Sequence, residues 1–468
     1  MALAAALLAT LAHAGGSGDP FSVFAPVPPP AAATHPSPAA CLPLDPTRPL
    51  GLAEAVDLAL CNNPQTRLAW ANARAQAALV GVAQSAYLPA ISASAGASRS
   101  RSEAATDPGW ISQRTLGLNL SYVLFDFGAR AAGLENARQL FVATAASRDA
   151  TVQAVFLAAV QAFFQRQAAA AALDASLLSE KASLESLNAA EARYRVGTAT
   201  PADRLQARTA HAQAMLNRIT AEGAVKTAQG ALAAALGAEP MRLPALAPLP
   251  PAAADIAFEA NVAKLIEEAR ARRPDLAAAE AQHRAALAGV DAARAGHLPT
   301  LSLGAAANRS QLAGQPGYDG SSIGLTLTIP IFSGYSTTYK VHAAQAQADA
   351  QAARRDQTRL QVALDVWNAH TGLATASQSL KTAAELLDSA TQSERVAAGR
   401  YRAGVGSILD LLAAQAALAA ARQQHILAGT SWYVSRATLA QAMGALDADS
   451  LTLLSPSPPP VSAGGKAE

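Results

Sequence analysis

Two aspartates hold matched places in this chain. Asp203 and Asp410 each stand six residues after the glycine that closes an Arg-Tyr-Arg run: Arg193-Tyr194-Arg195-Val196-Gly197 and Arg400-Tyr401-Arg402-Ala403-Gly404. An acid at the start of a returning helix favours the positive end of the helix dipole. Covalent chemistry finds no comparable support. The eight histidines include no pair at i+3 or i+4, His211 and His370 read as surface or groove residues, and no Walker loop occurs. The chain is therefore read as a non-enzyme without cofactor or metal, and any work it takes part in must draw energy from a partner.

The elements that position these residues come twice. A shift of 207 residues carries Tyr194 onto Tyr401, Asp203 onto Asp410, Phe125 onto Phe332 and Gly237 onto Gly444. Earlier in each half the shift is 210, which maps Pro64 onto Pro274 and Leu88-Pro89 onto Leu298-Pro299, so the second copy lacks three residues in between. Such a slip belongs in a loop, placed between Ser98–Thr115 and Asn308–Ser322. Each half is predicted as helix, strand, strand, long helix, turn, helix. The first helices run over Leu52 to Ala86 and Val262 to Gly296, the long ones over Ala129 to Arg195 and Ser336 to Arg402, and the returning ones over Pro201 to Gly237 and Ser407 to Gly444. At about 1.5 Å per residue a 67-residue helix extends roughly 100 Å, more than a globular core can bury.

The strands alternate. Leu116, Leu118, Leu120 and Tyr122 share one face, against Gly117, Asn119 and Ser121; Ile323, Leu325, Leu327 and Ile329 oppose Gly324, Thr326 and Thr328. Ile91, Ala93 and Ala95, and then Leu301, Leu303 and Ala305, repeat the pattern. One apolar and one small polar face over about ten residues is the signature of a transmembrane β-strand; a soluble sheet is the alternative. Four strands cannot close a barrel in lipid without leaving edges, so several chains must share one. Aromatics at the strand ends, Tyr87 on one side and Tyr122, Phe125, Phe127, Phe332, Tyr335 and Tyr339 on another, suit an interfacial girdle.

Composition agrees. Only 15% of residues are charged and the net charge is +2, so no basic stripe offers itself to nucleic acid. No apolar run is long enough for a spanning helix. Residues 1–14 are read as a signal peptide and 15–50 as a Pro-rich N-terminal segment. The first repeat covers 51–239, a Pro-rich linker 240–260, the second repeat 261–447, and a disordered tail 448–468. Cys41 and Cys61 are the only cysteines, either bridged in an oxidising compartment or free.

The duplicated plan, the Leu-Pro steps before the strands, Leu124-Phe125-Asp126-Phe127-Gly128 and Ile331-Phe332-Ser333-Gly334 after them, and the Arg-Tyr-Arg turns together resemble the TolC-like outer-membrane factors over about Leu52 to Leu446. Within that family the chain is most similar to the ducts of type I toxin secretion; the outer-membrane parts of multidrug or metal efflux pumps are the alternative, and a soluble periplasmic coiled-coil adaptor the remote one. The resemblance implies a mixed α and β membrane protein. Three chains would close a twelve-stranded barrel in outer-membrane lipid, continuous with a periplasmic α-helical barrel. The implied partners are two more copies, a periplasmic adaptor, and an inner-membrane ATP-driven transporter or proton-driven pump, with no nucleic acid. It implies that Asp410, and with it Asp203, lines the pore constriction. Tyr401 takes a gating-latch position with Tyr194 as its repeat mate, although either could equally be a packing residue. Val196, Gly197 and Thr198, with Ala403, Gly404 and Val405, form the tips that meet the adaptor. Two departures weaken the gate: Ala413 stands where the family has a second acid, and Gly406 where it has an arginine.

Overall fold

The computed structural model describes residues 19–26, 48–101, 110–248 and 261–446. Residues 1–14 and 448–468 lie outside this set, as does most of 15–50 and of the 240–260 linker.

The helices and strands follow in the order α1 (Leu52–Asn62), α2 (Pro64–Ser85), β1 (Ala90–Arg101), β2 (Trp110–Phe125), α3 (Ala129–Arg195), α4 (Pro201–Leu236), and then α5 (Val262–Arg272), α6 (Pro274–Ala295), β3 (Thr300–Leu312), β4 (Tyr318–Thr328), α7 (Ser336–Arg402), α8 (Ile408–Ala442). The long helices have the expected bounds. Each expected first helix, however, is two. Asn63 (ψ 129°) and Arg273 (ψ 123°) are extended between them, because the ring of Pro64 or Pro274 bars helical geometry at the residue before it, while the proline itself suits the first turn of the next helix. The apolar spacing continues across the break, which is why it suggested one helix.

The chain divides into two compact units. The first holds the strands and the helical segments within 71–146 and 277–358. Its sheet runs β1-β2-β3-β4, antiparallel throughout, with the two repeats joined between β2 and β3. Register puts Ile91 opposite Leu120, Leu118 opposite Ala307, and Leu303 opposite Leu325, so one face is apolar across all four strands. The other carries Ser94, Gly117, Asn119, Ser302 and Thr326. The β3–β4 turn spans 313–317; the β1–β2 connection, 102–109, is three residues longer and lies outside the described residues. Tyr87 is not at the opposite end from Phe125. Antiparallel pairing brings the start of β1 to the end of β2, and Arg130 joins them: its guanidinium lies 4.8 Å from the Tyr87 ring centroid, donates to Val123 O at 2.7 Å, and pairs with Asp126 at 2.9 Å. Trp110 and Tyr318 stand at the other end.

The second unit is helical. Its main core gathers Val56, Phe163, Phe164, Leu232, Leu236, Trp432 and Tyr433, with Phe164 stacked on Tyr433 at 4.6 Å. Both returning helices end in a left-handed glycine, as the shared 207-residue shift predicts: Gly237 (φ 64°) after α4 and Gly444 (φ 68°) after α8. At Gly237 a Cβ would stand 2.7 Å from the Asn62 carbonyl oxygen; at Gly444, 3.0 Å from the Arg272 carbonyl carbon. Each thus lets a helix end press on the proline break of its own repeat. Arg273, 8% exposed, donates to both Asp275 oxygens (3.0 and 2.6 Å) and to Asp365 (2.7 Å).

Candidate functional site

The site is built on the α3–α4 and α7–α8 turns of the second unit. Each long helix stops in a Schellman motif, where a left-handed glycine lets two amides turn back onto the last carbonyls. Thr198 N donates to Arg193 O (2.9 Å) and Gly197 N to Tyr194 O (3.0 Å); Val405 N donates to Arg400 O (3.0 Å) and Gly404 N to Tyr401 O (3.1 Å). The φ of 78° at Gly197 and 81° at Gly404 explains the glycine in each motif. Val196 and Val405 project with 73% and 70% of their surface exposed. Thr198 and Ala403 are exposed beside them.

The two aspartates part company here. Asp203 closes a capping box: its amide donates to Thr200 Oγ1 at 3.2 Å, and its carboxylate accepts the Thr200 amide at 2.9 Å. That side chain is engaged in starting α4. Asp410 donates its amide to Ser407 Oγ at 3.1 Å, but among the described residues its carboxylate has no hydrogen bond or ion pair. It is exposed in a groove of about 720 Å³ between α7 and α8, beside Gln392, Ser393, Arg400, Gly406 and Ala413. At Gly406 the chain passes close to its own helix, since a Cβ there would meet the Arg400 Cβ at 3.0 Å and the Tyr401 amide nitrogen at 3.1 Å. An arginine has no room at that position without shifting the turn.

Tyr401 is 5% exposed and packs with Ile408 and Leu411. Arg193, from the first repeat, lies over its ring at 4.1 Å, and Nη2 of Arg193 donates to the carbonyl oxygens of Tyr401 and, at 3.4 Å, of Arg402. Burial pushes the Tyr401 phenol above its usual pKa; Arg193 opposes the rise and Asp203 adds to it. Tyr194 differs. It is 36% exposed and covered by Arg204 of its own hairpin at 4.5 Å. The cross-hairpin contact is thus made by Arg193 with Tyr401, between residues 208 apart in sequence. Arg193 is one of four arginines in the two Arg-Tyr-Arg runs, and nothing in their spacing marks which of them crosses over. Cys61 lies near the end of α1, and Cys41 lies outside the described residues.

Residues 55–238 and 265–445 match the outer membrane efflux protein family. The chain is 33% identical over 408 residues to Protein CyaE of Bordetella pertussis, covering 86% of both chains. It is 28% identical over 413 residues to the probable efflux pump outer membrane protein TtgC of Pseudomonas putida, covering 84% of this chain and 82% of that one. A crystal structure of a membrane protein from Pseudomonas aeruginosa superposes with a TM-score of 0.76 at 27% identity, covering 84% and 93%. With this agreement across both repeats, the chain belongs to the outer membrane efflux protein family and is an outer-membrane channel with a large periplasmic helical part.

Proposed function

We propose that three copies of the chain form the exit duct of a tripartite export machine, and that its cargo is a protein secreted by a type I pathway. The observation that supports assembly is the open sheet: among the described residues, β1 and β4 each have an unpaired edge, which hydrocarbon does not tolerate. Three four-stranded sheets joined edge to edge leave none. The mass of the complex in detergent tests this, with three copies expected; a monomer refutes it. Type I secretion is favoured by the similarity to Protein CyaE, whereas the match to TtgC supports a second reading, efflux of small molecules. Deleting the chain should remove one polypeptide from the medium and leave drug tolerance unchanged. Loss of drug tolerance with secretion intact would establish the efflux reading instead.

Within the duct, the Asp410 carboxylates of the three copies form a cation-attracting ring, as rings of acids do in cation channels. The free carboxylate of Asp410, against the engaged one of Asp203, supports that assignment. Tyr401 and Arg193 latch the two hairpins of each copy, and the exposed tips Val196–Thr198 and Ala403–Val405 are the surface for a periplasmic adaptor that links the duct to an inner-membrane transporter or pump.

A further inference from the structure

All five charged residues of the four strands lie on the apolar face. Arg99 and Arg101 of β1, Arg114 of β2, Arg309 of β3 and Asp319 of β4 share the side of Ile91, Leu116, Leu303 and Ile323, and the small polar face has no charge. The apolar face of a transmembrane barrel meets lipid, and a cation at mid-depth there is unfavourable. These residues avoid that depth. All sit toward the hairpin end, Arg309 and Asp319 level with Leu116 and the other three beyond it, and at the helix-proximal end the same face carries no charged strand residue. Arg114 is eight residues from Tyr122, about 20 Å along the barrel axis at a strand tilt of roughly 40°. Because the helical part is periplasmic, the hairpin end faces the outside of the cell.

The register gathers the arginines. Arg114 is paired with Ala97 and with Gln311, so Arg99 and Arg309 are its diagonal neighbours on either side. Arg114 and Arg309, with Leu116, Gln311 and residues 95–97 of β1, line a shallow hollow of about 390 Å³. The small side chains of β1 leave this space open. Arg99 covers the exposed Trp110 ring at 5.2 Å, a ring suited to the membrane interface. Asp319 pairs loosely with Arg309 at 3.7 Å. Among the described residues, no carboxylate pairs with Arg99, Arg101 or Arg114.

We propose that this face is a binding site for the phosphate groups of the anionic glycolipid of the outer leaflet, with Arg114 and Arg309 clasping one phosphate and the acyl chains lying on the leucine rows below. Guanidinium groups hold phosphate oxygens in paired, charge-assisted hydrogen bonds. The excess of cations, their restriction to the outer-leaflet end, and the apolar floor beneath them fit a phosphorylated lipid. A soluble anion would gain nothing from that floor.

The test measures binding of diphosphoryl lipid A, its dephosphorylated form, and phosphatidylglycerol to the detergent-purified full-length protein by native mass spectrometry. Wild type should bind diphosphoryl lipid A at least about tenfold more tightly than either other lipid. Arg114→Gln with Arg309→Gln should lose about tenfold or more for diphosphoryl lipid A alone, and the corresponding lysine variant should keep part of the preference. Equal affinity of wild type and the glutamine variant overturns the proposal, and so does phosphatidylglycerol binding as tightly as lipid A. The comparison of lipids uses the wild-type protein and decides the matter even where a variant fails to assemble.

Discussion

Replacing Arg193 by alanine should open the resting tip. In one step it removes a guanidinium from the face of Tyr401 at 4.1 Å and the hydrogen bonds of Nη2 to the Tyr401 and Arg402 carbonyls. A partly desolvated cation–π contact contributes about 1 to 2 kcal/mol, and a hydrogen bond from a charged donor about 1.5 to 3 kcal/mol. Arg193 is only half-buried, so solvent screening reduces the total to roughly 2 kcal/mol per copy. That corresponds to about a thirtyfold shift in the closed-to-open ratio of one hairpin pair. Tyr401→Phe keeps the ring and both carbonyls, so it should move the equilibrium far less. Single-channel conductance in planar bilayers reads the effect as more frequent or larger resting openings. An Arg193→Ala channel that assembles normally and conducts at rest as wild type does would refute the latch.

Other perturbations separate the remaining residues. Asp410→Asn should reduce cation preference in bilayers, most clearly at low salt, where the Debye length is about 30 Å against about 10 Å at 0.1 M; Asp203→Asn should instead cost about 0.5 to 1 kcal/mol of stability and leave selectivity unchanged. Gly237→Ala should destabilise by about 2 kcal/mol or more in denaturant unfolding, because a left-handed φ and a 2.7 Å approach to backbone act together there. Alkaline titration should show tip stability constant below about pH 10 and falling as pH rises through the elevated Tyr401 pKa, since the ionised phenol is favoured in the unfolded chain; Tyr401→Phe should remove that fall. An epitope inserted in 313–317 should be reached by antibody on intact cells, and labelling only after the outer membrane is broken would invert the orientation.

Much of this molecule was legible because its signals are local. Alternation at Leu116, Leu118 and Leu120 requires only neighbouring residues, and the ends of α3 and α7 are set by Gly197 and Gly404 within a few positions. The 207-residue shift between the repeats likewise predicted paired helix ends at Gly237 and Gly444. What stayed hidden depends on residues far apart. Arg193 reaches Tyr401 across 208 positions, and the equivalent Arg400 lines the groove beside Asp410 instead. The two aspartates also looked alike at equal distance from their glycines. Their difference emerges only from the rotamers beside Thr200 and Ser407: one carboxylate turns back to its cap and the other does not. The broken first helices had a local signal in Pro64 and Pro274, but a continuing apolar rhythm masked it.

The two copies keep one backbone and stabilise it by different side chains. Positions 127 and 128 correspond to 334 and 335, and all four have positive φ, but the glycine comes second in the first copy, after Phe127, and first in the second, before Tyr335. In the first copy Asp126 and Arg130 fix the strand-to-helix corner as an ion pair; in the second, Ser333 and Thr337 share a 3.0 Å hydroxyl contact. At the proline break, Asn63 donates to the Ala235 carbonyl at 3.0 Å, where Arg273 instead binds two aspartates. In a threefold assembly of duplicated chains, six near-equivalent positions then carry two alternating side-chain sets. In the proposed constriction, a ring made only of Asp410 follows from that alternation: with Asp203 engaged by its cap, three carboxylates instead of six would face the passage, a weaker barrier.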